Sequence, residues 1–166
     1  MSPHDVAAPG TSVNDVQIDP RGYRFGAAVT LVFAAAAILF VASGGLLAAA
    51  LMLTVLVAMF FPGATIGPQA TVQSAIFKAL IRPRLGPPAF TESFRPPRFA
   101  QQMGLAMSLA GAVMAWITVA GLAPLAWGIY LWAGFVLFAS FLNSVFGFCL
   151  GCEIYLVLRR MSARRT

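Results

Sequence analysis

The chain has 166 residues, 60% hydrophobic and 10% charged, with eleven Lys and Arg against five Asp and Glu and a formal net charge of +6. Soluble domains carry about a quarter charged residues, so this composition, with a mean hydropathy of +0.84, excludes a soluble globular domain. The basic residues sit in three clusters beside apolar runs, with no aromatic-interleaved basic surface, and that excludes a nucleic-acid binder.

Residues 1–20 are polar and turn-rich, with Pro3, Pro9 and Gly10. They lack the positive start and short apolar core of a secretory signal and read as a disordered cytoplasmic tail. The single histidine, His4, lies there, so a haem or histidine-ligated metal within the membrane has no ligands and no metal site is expected.

Two tracts, Gly26 to Phe77 and Phe99 to Cys152, contain no Asp, Glu, Lys or Arg. Each can hold two helices of about 20 residues, enough to cross a roughly 30 Å hydrocarbon core twice. The expected fold is an all-α membrane protein: a single domain over 21–160 with four transmembrane helices, arranged as two helical hairpins. The first two spans are 26–43 and 46–61, the second ending where Pro62 removes a backbone donor. Polar residues Gln69, Gln73, Ser74, Lys78 and Arg82 recur at helical steps, with apolar Val72, Ile76, Phe77 and Leu80 between them. Residues 69–82 are therefore an amphipathic helix, lying on the membrane surface or packed into the bundle. A proline- and arginine-rich linker, 83–98, follows. The third and fourth spans are 99–120 and 125–146, and a basic tail covers 161–166.

All basic clusters fall on one side of this layout, and the positive-inside rule puts both termini and the linker on the cytoplasmic side of the membrane. Trp116, Trp127, Tyr130 and Trp132 gather near the opposite end, as an interfacial aromatic belt does. Arg21-Gly22-Tyr23-Arg24-Phe25 and Arg95-Pro96-Pro97-Arg98-Phe99 share the pattern R-x-x-R-F at an offset of 74 residues, which suggests a parallel internal repeat. Gly104, Ser108 and Ala112 form a small-residue face for close helix packing. An oligomer is compatible with that face, and sequence does not distinguish it from a contact within the chain.

The only two cysteines form Cys149-Leu150-Gly151-Cys152, followed by Glu153. A continuous helix from Leu125 to Leu158 would reach about 51 Å, well past the hydrocarbon core. Gly147 and Gly151 mark the expected interruption, and Cys149 then lies about 36 Å along, at headgroup level. If a helix restarts after Gly147, Cys149 occupies its first turn, where a helix amino-terminus or nearby cations favour the thiolate. Arg82, Arg84, Arg95 and Arg98 are the candidate cations, serving also as a partner- or anion-binding surface. Cys149 is the expected attacking thiol, Cys152 the resolving one and Glu153 a proton acceptor; a cytoplasmic position implies a resting dithiol. Two other readings stay open. The pair could be inert packing, since cysteine is small and weakly polar, or part of a metal site, which two thiolates and one carboxylate leave a ligand short. Asn143, flanked by Ser140 and Ser144, reads as a helix-bridging group, and Gln101 and Gln102 as facing headgroups. No catalytic triad, phosphate loop or zinc-protease motif is present, and no cofactor motif either. A quinone would suit as membrane electron partner, without a residue that argues for it.

Ile18-Asp19-Pro20-Arg21-Gly22, Arg82-Pro83-Arg84-Leu85-Gly86-Pro87-Pro88, Pro97-Arg98-Phe99-Ala100-Gln101 and the stretch from Asn143 to Tyr155 together resemble the DUF4395 family of small bacterial, mostly actinobacterial, membrane proteins. The resemblance covers roughly residues 17–160, and its most specific part is Phe146-Gly147-Phe148-Cys149-Leu150-Gly151-Cys152-Glu153. Members are often encoded near thioredoxin-like proteins and rhodanese-type sulfurtransferases, which implies thiol or sulfur traffic and establishes no activity. The expected function is a membrane thiol protein exchanging disulfides or relaying sulfur with such a partner. A small-anion transporter for a sulfur oxyanion, or a non-catalytic membrane scaffold, are the alternatives.

Overall fold

The computed structural model describes residues 17–88 and 90–163. Most of the expected polar tail, residues 1–16, and the last three residues of the basic tail lie outside them. The described chain is helical apart from its connections and one short strand pair, β1 (Gln17–Ile18) against β2 (Glu92–Ser93).

Helix α1 (Pro20–Ala42) opens on Asp19, whose side chain accepts the Arg21 N–H at 3.0 Å, with Pro20 as the first helical residue. Proline costs nothing there, because its missing N–H would have no helical partner. The Arg21 guanidinium pairs with Asp19 at 3.0 Å and donates to Leu85 O and Gly86 O, tying the start of α1 to residues 85 and 86. A turn through Ser43, Gly44 and Gly45, with Gly44 at φ +82°, leads to α2 (Leu46–Thr65). Contrary to the expected stop at Phe61, α2 runs through Pro62. Only one carbonyl a turn earlier loses its donor there, a loss tolerated in membrane helices. Gly63 is needed beside it: a Cβ would lie 2.7 Å from Gln101 Oε1 and 2.9 Å from Thr71 Cγ2.

The segment expected as one amphipathic helix is a 3₁₀ turn (Pro68–Ala70), then α3 (Val72–Ile76), a π turn (Phe77–Ile81) and α4 (Arg82–Leu85), continuous from Val72 to Leu85. Gln73, Ser74 and Phe77 are buried while Val72, Ile76 and Leu80 are exposed. Gln73 and Ser74 of the expected polar face thus turn toward the protein together with Phe77, while Lys78 and Arg82 are exposed along with Val72, Ile76 and Leu80. The third span begins earlier than expected, because Arg95-Pro96-Pro97-Arg98 forms the first turn of α5 (Arg95–Val119), where prolines fit. α6 (Ala126–Phe141) continues through a π turn (Leu142–Phe146), and after a break the chain forms α7 (Leu150–Ala163).

Four helical stretches, Pro20–Ala42, Leu46–Thr65, Arg95–Val119 and Ala126–Phe146, are long and apolar enough to cross a membrane. They form a closed ring in which α1 touches α2 and α6, and α5 touches α2, α6 and α7, with α2 against α5 the most extensive contact. Its centre is mostly alanine (Ala34, Ala37, Ala49, Ala50, Ala112, Ala115 and Ala133), filled by Leu53, Leu56 and Ile129. Small side chains let helices approach closely where lipid removes the hydrophobic drive to associate. The outer surface carries Val32, Leu39 and Phe138, as a lipid-facing surface requires.

Leu53 is fully buried and Leu39 is 68% exposed. Leu53→Ala is expected to cost about 2–5 kcal/mol through the cavity it leaves, and Leu39→Ala to leave the melting temperature in detergent nearly unchanged. Burial alone would raise the Asp19 carboxyl, but hydrogen bonds from Arg21 and the charges of Arg21 and Arg82 outweigh it and hold the group below its ordinary value of 3.8. Its stabilisation is therefore present above pH ~4 and lost as pH falls through the lowered value. Melting curves at pH ~5 and ~3 should show this acid-dependent loss in the wild type and a smaller one in Asp19→Asn.

Candidate functional site

The overlong last run breaks at Gly147. This residue takes φ +69°, a left-handed conformation that glycine adopts at no steric cost. Its N–H donates to Asn143 O at 3.1 Å and the Phe148 N–H donates to Leu142 O at 3.2 Å, the paired bonds that terminate a helix. Two residues later the helix restarts. Cys149 caps α7: its carbonyl accepts the Glu153 N–H at 3.1 Å and its Sγ accepts the Cys152 N–H at 3.3 Å.

Cys149 and Cys152 are joined in a disulfide. The expected resting dithiol is not the state seen; the first turn of a helix brings residues three apart onto one face and their sulfurs within bonding reach. Gly151, between them, is where α7 meets α5, since a Cβ there would lie 2.7 Å from both Cα and Cβ of Ala100. The Phe99 and Tyr155 rings, 5.8 Å apart, extend that contact along α7.

Behind the pair lies a cavity of about 120 Å³ in the bundle half that holds the arginines. Its walls come from the first turns of α1 and α5, the last turns of α6, the segment Pro68–Gln73 and the start of α7. Cys149, Leu150 and Gly151 line it, and so do Gln73, Gln101 and Asn143; among the described residues no Asp, Glu, Lys or Arg does. Gln73 is 6% exposed. Gln73 Oε1 and Asn143 Oδ1 are buried without a hydrogen-bond partner.

The four arginines singled out in the sequence do not line this cavity. Arg82, Arg84 and Arg95 are exposed. Arg98 serves the end of α2, donating to Ala64 O at 3.2 Å and to Thr65 O at 2.6 Å. The guanidinium beside the helix break is that of Arg24, whose Cζ lies 3.0 Å from where a Gly147 Cβ would be. Arg24 was legible only as the second arginine of the R-x-x-R-F pattern. Glu153 is exposed in the first turn of α7, where a carboxylate suits the helix dipole. Gln101 packs on Gly63 and lines the cavity rather than facing headgroups, and Gln102 donates to Ala64 O at 3.3 Å. Asn143 Oδ1 bridges to no other helix.

The sequence pattern described as Domain of unknown function (DUF4395) matches residues 18–160. No curated protein and no solved structure matches the chain.

Gly151→Val is expected to lower stability by about 1–3 kcal/mol by forcing α7 off α5, and to speed alkylation of the reduced cysteines. Gly134→Ala, with nothing within 4 Å of the added Cβ, serves as the neutral control in both measurements.

Proposed function

The chain belongs to the DUF4395 family, and we propose that it is a membrane thiol protein whose Cys149–Cys152 pair exchanges disulfides or relays sulfur with a soluble thioredoxin-like or sulfurtransferase partner. The observation that carries this is the placement of the pair: a disulfide at the capped start of α7, on the wall of a cavity that Gln73, Gln101 and Asn143 also line. A disulfide between residues three apart closes so small a loop that it constrains the unfolded chain little, which makes it a poor structural staple. Cysteine at a helix amino-terminus is favoured as thiolate. The basic clusters put both termini and the Cys149 end of the bundle in the cytoplasm, where disulfides are characteristically catalytic.

Starting from the reduced pair, the Cys149 thiolate attacks one sulfur of a partner disulfide, whose other sulfur leaves as a thiolate. Cys152, deprotonated, then attacks Cys149 Sγ. The Cys149–Cys152 bond re-forms, the partner's second thiolate departs, and two electrons have passed to the partner. Cys149 is the attacking group because its sulfur takes the helix N–H, and Cys152 resolves.

The same reading takes the chain as two copies of one unit, each a pair of spanning helices followed by a shorter helix. Several paired contacts support it, the second unit running 74 residues ahead at its first helix and 78 at its last. Phe25 lies 6.0 Å from Phe77, and Phe99 5.8 Å from Tyr155. Gly26 faces Gln73 as Ala100 faces Gly151. The strand register pairs Ile18 with Glu92, 74 positions apart. Thr71 Oγ1 accepts the Ser74 N–H at 3.2 Å, as Cys149 Sγ accepts that of Cys152. Thr71-Val72-Gln73-Ser74 is then the unreactive counterpart of Cys149-Leu150-Gly151-Cys152.

Cys152→Ser should accumulate a reducible, higher-mass adduct on a non-reducing gel of native membranes, absent from Cys149→Ser/Cys152→Ser. If no adduct forms, and neither cysteine of the reduced wild type is alkylated by a maleimide, the redox reading fails.

A further inference from the structure

We propose that the cavity behind Cys149 is a binding site for a small inorganic oxyanion, independent of any thiol chemistry. Three observations converge on it. The first is the helix start. α7 has fourteen residues, and an α-helix leaves its first backbone N–H groups without carbonyl partners. The N–H of Cys152 is taken by Cys149 Sγ and that of Glu153 by Cys149 O. The two amides before them belong to Leu150 and Gly151, both of which line the cavity. Amides at a helix amino-terminus, with the positive end of the helix dipole behind them, are a ready site for an anion.

The second observation is in the opposite wall. Gln73 is more than nine-tenths buried, lines the cavity and has no hydrogen-bond partner for Oε1; Asn143, a half-buried residue, also lines it and its buried Oδ1 has no partner either. A buried polar group without a partner costs about 1–3 kcal/mol. Turning either amide by half a rotation presents its N–H groups instead, and the two orientations are interchangeable until a ligand decides between them. A bound oxyanion gives the N–H groups of each turned amide an acceptor.

The third is charge and size. Among the described residues no carboxylate lines the cavity to repel an anion; the Arg24 guanidinium packs against Gly147, at the break before α7, without lining the cavity itself. A volume of about 120 Å³ is many times the roughly 10–15 Å³ that one water needs. It suits an ion of a few heavy atoms. Thr30 and Ser140, on α1 and α6, line the same space, with the Thr30 hydroxyl already donating to Gly26 O at 3.0 Å.

The site has a counterpart in the reduced protein. A Cys149 thiolate is itself an anion at this helix start, so reduction is expected to weaken oxyanion binding by competing for the same positive end.

The test uses the full-length protein in phosphatidylcholine nanodiscs, oxidised, with sodium sulfate or sodium nitrate titrated against sodium gluconate at constant ionic strength, gluconate being too bulky to enter. Thermal melting should show a saturable rise with sulfate or nitrate and none with gluconate. Gln73→Met removes the unpaired amide, so it is expected to melt no lower than wild type while binding the anion at least tenfold more weakly. Cys149→Ser/Cys152→Ser should keep the response, which makes failure of the thiol reading and failure of this site separate results. The proposal is overturned if neither anion gives a saturable rise in the wild type, or if Gln73→Met responds as the wild type does.

Discussion

The stop at Gly147 governs the rest of the functional end of the molecule. An apolar run of this length has two fates at a membrane boundary: it projects as one rod, or it ends and starts again. The left-handed glycine, with its two terminating hydrogen bonds, enforces the second. Everything chemically interesting follows from the restart. It turns Cys149 from a mid-helix residue into a cap, sets Cys152 one turn on, and places Leu150 and Gly151, at the start of a new helix, on the wall of the cavity. A Cβ at position 147 would strain the turn and press on the Arg24 guanidinium as well.

Close approach holds that arrangement in place. Gly151 lets α7 lie against the backbone of α5, and Gly63 lets the end of α2 accept Gln101 and Thr71. The alanine-rich centre does the same over the length of the ring. Such a bundle has little freedom to trade volume, since a membrane interior offers packing rather than hydrophobic drive as the source of association. The cavity is therefore a local exception. It sits where α1, α2, α5, α6, α7 and the segment 68–73 converge, and Thr30, Thr71, Gln73 and Ser140 of the buried polar residues line it.

The number of spanning helices, their approximate limits and the clustering of charge at one end were legible in the sequence, because length, hydropathy and charge are summed properties. The interruption near Gly147 and the restart at Cys149 were legible for a related reason: a 51 Å rod exceeds the bilayer whatever its neighbours do. Properties set by neighbours were not. Pro62 reads as a stop and Pro96-Pro97 as linker, yet one is tolerated within α2 and the others open α5, a difference made by position in the helix rather than by residue type. Residues 69–82 have the right period, but which face turns inward depends on Gln73 and Ser74 finding a place in the bundle. Arg24 went unsingled because nothing local to α1 says that its partner is the end of α6.

The arginines of the two R-x-x-R-F segments have a bearing on how the protein is made. Arg98, at the start of α5, satisfies the last carbonyls of α2, and Arg24, at the start of α1, stands at the end of α6. The first pair of spanning helices is thus finished by a residue of the second, while a residue of the first packs where the second pair ends. During synthesis the first pair enters the membrane with the end of α2 open, and it stays open until residue 98 has left the ribosome. The end of α6 finds Arg24 waiting, already inserted. The nascent protein therefore passes through one vulnerable interval, between the emergence of α2 and that of α5, and the proline-rich linker sets how long that interval lasts.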